Sequence, residues 1–134
     1  MIDEVEPEYR DVKTGAAIIE YAAKQLSDPR AMYVYGTLFY QAESKIGRYD
    51  KSKKWFKKAS KLGEGRAMEG YANILFNTRQ DDNFIDCYAW AELGERISRK
   101  KSRIKNRCLK RISEDERLQL NKRIENLYKS LSLN

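Results

Sequence analysis

The sequence predicts an all-α chain: a short right-handed α-solenoid of antiparallel helical hairpins, closed by a capping helix at its C-terminal end. Three observations carry that expectation. The chain repeats itself: Arg30-Ala31-Met32 recurs as Arg66-Ala67-Met68, Tyr35 recurs as Tyr71, and Trp55 is followed by Trp90. A spacing of about 36 residues holds two helices and two turns, the size of a hairpin that stacks on its neighbours. The apolar positions follow the helical period, with Ala31, Tyr35, Leu38 and Phe39 on one face and Ala67, Tyr71, Ile74 and Leu75 repeating it. Finally, 134 residues contain only 2 Pro and 7 Gly, too few breakers for a loop-rich chain.

The expected helices span 12–26, 29–42, 48–62, 65–77, 83–96, 99–111 and 114–131. Residues 1–11 form an acidic tail and 12–28 a partial repeat, in which Ala23 and Leu26 stand in register with Ala59 and Leu62. Two repeats follow, 29–64 and 65–97, and then a basic helix and a capping helix over 98–134, all in one domain. Asp28-Pro29 starts the first helix of a repeat, because Asp caps exposed N–H groups and Pro fits the first turn. Trp55, Phe56, Ala59 and Leu62 make the buried stripe of the next helix, whose other face is Lys51, Lys53, Lys54, Lys57, Lys58 and Lys61. Gly63 and Gly65 stop it, glycine being the residue that most readily turns left-handed. Asp81-Asp82 reads as a cap for the following helix. Ser113 with Glu116 reads as a capping box for the last one, which is expected to bury Leu120, Ile124, Leu127 and Leu131.

In this register the chain resembles the Sel1-like repeat family, relatives of the tetratricopeptide repeats. The matching positions are Ala31, Tyr35, Gly36, Phe39, Lys51, Ser52, Trp55, Phe56, Ala59, Ser60, Gly63 and Ala67. A looser second unit runs through Tyr71, Ala72, Leu75, Tyr88, Trp90 and Gly94. Cys87-Tyr88-Ala89-Trp90 looks like the opening of the family's last repeat, and Ile112-Ser113-Glu114-Asp115-Glu116 like the start of its closing helix. The family's Gly-rich turn is replaced by Ala42, Ser44 and Lys45. The resemblance implies a curved stack that binds proteins and performs no catalysis. It also implies that first-helix residues off the apolar stripe line a concave face: Tyr33, Thr37, Tyr40 and Gln41 on one helix, Glu69, Asn73, Phe76 and Asn77 on the next. Family members of bacteria act as envelope or cytosolic scaffolds, as regulators of signalling or secretion, and as immunity proteins that neutralise a cognate toxin or effector.

Composition narrows the chemistry. No His is present, which removes the commonest general base and metal ligand, and two Cys cannot form a four-ligand zinc site. No phosphate-cradling loop or nucleophile motif occurs. Glu114, Asp115 and Glu116 sit where acids complement a helix dipole. The expectation is therefore a non-enzyme without metal or cofactor. The net charge is +7, unevenly spread: residues 1–30 carry seven acids and four bases, whereas Arg99, Lys100, Lys101, Arg103, Lys105, Arg107, Lys110 and Arg111 form a run of eight bases with no acid. That run reads first as a solvated face or a patch for an acidic protein partner, and second as a site for nucleic acid or anionic lipid. It lacks the aromatic side chains that bind single strands.

Cys87 and Cys108 lie at equal distances from the turn expected near Ile97-Ser98, so a disulfide is sterically reasonable; two buried thiols are the alternative. A disulfide would place the protein in an oxidising compartment, a bacterial periplasm first, and reduced thiols would place it in the cytoplasm. No stretch approaches the length and apolarity of a transmembrane helix.

Overall fold

In a computed structural model, which describes residues 7–78 and 83–132, every regular element is helical. The eight helices are α1 (Pro7–Lys24), α2 (Pro29–Glu43), α3 (Asp50–Lys61), α4 (Gly65–Thr78), α5 (Asn83–Ser98), α6 (Lys105–Leu109), α7 (Glu114–Arg117) and α8 (Leu120–Ser130). They pack as adjacent pairs in chain order, α1 on α2, α2 on α3, α3 on α4 and α4 on α5, and both α6 and α8 then cover α5.

Local chemistry sets the boundaries. Asp28 Oδ1 accepts from the backbone N–H groups of Arg30 (2.9 Å) and Ala31 (3.3 Å), with Pro29 in the first turn of α2. The α2–α3 turn passes through Gly47 at φ +68°, and Glu43 replaces a local cap for α3 by accepting from Lys51 N (3.0 Å) and Ser52 N (2.8 Å). Gly63, at φ +91°, ends α3. Ser113 and Glu116 exchange hydrogen bonds in a full capping box.

The repeat recurs in the packing. Tyr35 meets Trp55 edge-on at 5.1 Å between ring centroids, and Tyr71 meets Trp90 edge-on at 5.7 Å. Such pairs favour edge-to-face geometry because the ring face is negative and its rim positive. Phe56 fills the space between the first helices of the two hairpins. A Cβ on Gly36 would lie 2.8 Å from one edge of its ring, and a Cβ on Gly70 2.8 Å from the other, so a methyl at either position would push the ring aside. The α4 and α5 backbones approach equally closely, since a Cβ on Gly94 would sit 2.8 Å from Gly65 O.

Several expectations change. Helix α1 begins at Pro7, so residues 7–11 are helical rather than part of a tail. Leu38 is largely exposed although its spacing put it on the apolar stripe. The helix expected over 99–111 shrinks to α6. Arg99, at φ +60°, ends α5, and the N–H groups that follow are taken by distant carboxylates: Ser102 N donates to Glu95 (2.8 Å), Arg103 N and Ile104 N to Glu69 (2.9 and 3.4 Å). The helix expected over 114–131 is two, α7 and α8, parted by a turn at residues 118–119. Leu120, Ile124 and Leu127 are buried as the spacing requires; Leu131 is half-buried and lies just past the helix end. The Asp81-Asp82 cap falls outside the described residues.

Candidate functional site

Helices α2 and α4, the first helices of the two hairpins, lie side by side and enclose an open groove of about 360 Å³. Tyr33, Thr37 and Tyr40 line it at one-turn and two-turn spacing along α2. Arg66, Glu69, Gly70 and Asn73 line it from α4, the Phe56 ring shows at its floor, and Arg103 reaches in from the loop before α6. An adjoining hollow of about 220 Å³ shares Tyr33, Arg66, Glu69 and Arg103 and adds Lys100 and Lys101. The groove is thus aromatic at one end and cationic at the other.

Its aromatic end is held rigid. The Tyr40 ring stacks on Tyr49 at 5.4 Å, and its hydroxyl accepts from Asn77 Nδ2 at 3.4 Å. Burial, then the neighbouring Tyr49, raises the Tyr40 pKa above its ordinary value against that bond, so the phenol stays a neutral donor. Tyr33 leans on Phe56 and carries the Arg66 guanidinium 4.6 Å above its ring, while Glu64 holds Arg66 from the other side at 2.9 Å. Thr37 Oγ1 donates to Tyr33 O and Asn73 Nδ2 to Glu69 O, each bond 2.9 Å long.

The structure gathers Tyr33, Thr37, Tyr40, Glu69 and Asn73 from the sequence-derived concave set, but not its other members. Gln41 is exposed and outside the lining, and Asn77 serves Tyr40. Phe76 is only 6% exposed: it packs on Phe84 at 5.8 Å beneath the guanidinium of Arg107, with Arg111 farther off. Glu69 has a structural duty, since its carboxylate accepts from Ser102 Oγ (2.6 Å) and from the N–H groups that open the α6 loop. Sequence reasoning missed Arg66, Phe56 and Gly70. The recurrence of Arg30 at Arg66 and of Gly36 near Gly70 was the available signal.

The basic run divides. Arg103, Lys100 and Lys101 border the groove, and Lys105 is ion-paired with Glu95 (2.6 Å) and Glu92 (3.5 Å). The salt link to Lys105 and the N–H of Ser102 hold Glu95 below the usual carboxylate range. Cys87 and Cys108 are fully buried and joined as a disulfide between α5 and α6, with Cα atoms 5.9 Å apart. A larger hollow of about 570 Å³ lies between α5 and α8, lined by Leu93, Ile97, Ile124 and Tyr128, but it takes in none of the concave set.

Among the described residues, no group of three or more His, Cys, Asp or Glu could hold a metal ion, and no helix is long and apolar enough to cross a membrane. Comparison of the chain with protein-family models, with curated proteins and with solved structures gives no match in any of the three.

Proposed function

We propose that this chain is a non-catalytic recognition module, a short right-handed Sel1-like stack that binds a protein partner in the α2–α4 groove. The groove itself is the observation that carries this reading. Rigid phenol rings, an amide and the cations Arg103, Lys100 and Lys101, which have no ion-pair partner among the described residues, converge there from three segments of the chain. Rings and Arg are the side chains that dominate binding energy at protein interfaces, because they bury much area and lose little freedom. The partner presents an apolar or aromatic side chain to Tyr33 and Tyr40 and an acidic one to Arg103, Lys100 and Lys101. The equivalent Tyr–Trp pairs of the two hairpins support the repeat assignment. A toxin or effector is the partner that the family resemblance favours, with a scaffold client as the alternative.

Filling the groove tests this without disturbing the core, because Thr37 and Asn73 are only half-buried. The purified protein and its Thr37→Lys and Asn73→Lys variants are used to capture partners from envelope and cytosolic fractions. A stoichiometric protein retained by the parent and lost by both variants, each still helical, supports the groove. The same protein retained equally by the variants refutes it.

A further inference from the structure

A strongly one-sided charge lies on α3 and the turn before it. Between residues 45 and 61 the sequence carries eight bases, Lys45, Arg48 and the six lysines of the helix, against the single acid Asp50. In α3, Ser52, Trp55, Phe56, Ala59 and Ser60 are buried, and the lysines take the remaining arc. None of these eight cations has an ion-pair partner among the described residues. The nearby Glu43 is occupied by the N–H groups of Lys51 and Ser52. The ammonium groups of Lys54 and Lys58 sit 5.6 and 4.9 Å from the centroid of the Trp55 ring, and that of Lys51 5.2 Å from the centroid of Phe39, cation–π contacts that steady the side chains without neutralising their charge.

The run 99–111 differs, although it is as basic. Its Lys105 is paired, Arg107 lies on Phe76, and the carboxylates of Glu69, Glu92 and Glu95 stand among it. A second observation separates α3 further. Ile46 is 70% exposed in the turn that leads into the helix, flanked by Lys45 and Arg48. An apolar side chain gains nothing against a phosphate backbone, but it can enter the headgroup layer of a bilayer. The arc also presents no exposed ring for stacking on bases, since Trp55 is buried.

We infer that the lysine arc of α3, with Ile46 at its leading turn, is a docking surface for a membrane rich in anionic lipid. Each cation near such a surface strengthens binding about fivefold, so eight of them supply reversible attachment without a spanning helix. The arc is distinct from the α2–α4 groove.

Sedimentation with phosphatidylcholine vesicles, with and without phosphatidylserine, tests the proposal. The expected result is binding only to the anionic vesicles, reversed by added salt. It falls at least about tenfold in a variant with Lys54, Lys57, Lys58 and Lys61 all changed to Gln. Ile46→Ser weakens vesicle binding by a smaller factor and leaves any binding of duplex DNA unchanged. The groove variant Asn73→Lys still binds vesicles, so failure of the groove and failure of the arc are read separately. Absence of the folded parent from anionic vesicles at low salt overturns the proposal. So does equal binding by the four-lysine variant, or tighter binding to duplex DNA that Ile46→Ser does not alter.

Discussion

The hairpins α2–α3 and α4–α5 carry the same Tyr–Trp ring pair, and they differ in what lies on the second helix. Where α3 has Lys54 and Lys58 in solvent, α5 has Ala89 and Leu93, both buried, at positions 35 residues later. The cause is the C-terminal segment. Helices α6 and α8 fold over α5, and among the described residues no helix packs in the same way on the outer arc of α3. One repeat pattern thus serves two ends: a shared apolar stripe builds the core, and the positions beside it become either an internal contact or a charged face. The periodicity identifies the stripe, whereas the fate of the flanking positions is decided by segments far along the chain.

The comparison can be broken most directly at the tryptophans. Trp90→Ala should destabilise the fold by about 3–5 kcal/mol, the range for loss of a buried large ring. Trp55→Ala should cost less, because lysine ammonium groups lie over part of its ring. Denaturant unfolding of both variants measures the difference, and an equal or reversed order would remove the contrast between a covered and an open hairpin.

Opening the bond between Cys87 and Cys108 should cost about 3 kcal/mol for a loop of this length. Mass spectrometry under non-reducing conditions establishes whether the bond is present in the native protein. Cys108→Ala then gives the loss, which is expected to fall on α6 and spare the α2–α3 hairpin in hydrogen exchange.

Glycines sharpen the contrast further. Gly94→Ala drives a methyl against Gly65 O, a backbone atom that cannot swing away, and should cost about 1–3 kcal/mol. Gly36→Ala presses hardest on the edge of the Phe56 ring, which can tilt, with Trp55 Cβ farther off at 3.3 Å, so its cost should be smaller.

The smallest effect is electrostatic. Glu95 has a folded pKa below its ordinary value of 4.5. Its contribution is complete above that value and is lost as pH falls through the lower, folded pKa. Glu95→Gln should therefore flatten the acid end of the stability curve and leave the curve near neutrality parallel to that of the parent. An unchanged acid limb would show that the Lys105 link contributes nothing.

Features fixed by neighbouring residues were legible beforehand. Asp28-Pro29 and Ser113 with Glu116 act within one turn, and the recurrence of Tyr35 as Tyr71 and of Trp55 as Trp90 is read from spacing, although that these rings meet is not. In the groove, Tyr33, Thr37 and Tyr40 lie off the apolar stripe of α2 and Asn73 off that of α4, the positions that the family resemblance implies for a concave face. What escaped depends on long-range partners. The shortening of α6 needs Glu69, more than thirty residues upstream, to take its N–H groups. The burial of Phe76 needs Arg107 and Arg111 to cover it. The appearance of Phe56 in the groove needs two glycines on different helices to leave its ring room.

The contact at the last described residue has a kinetic consequence. Ser132 N donates to Lys61 O at 2.7 Å, so the segment after α8 bypasses the α4–α5 hairpin and is fastened to the end of α3. In a strictly linear array each unit touches only its neighbours, and the end unit can peel away alone. Here peeling from the C-terminal side must first break a bond to the middle of the chain. That clasp should make the C-terminal end fray less readily than the free end of a linear array.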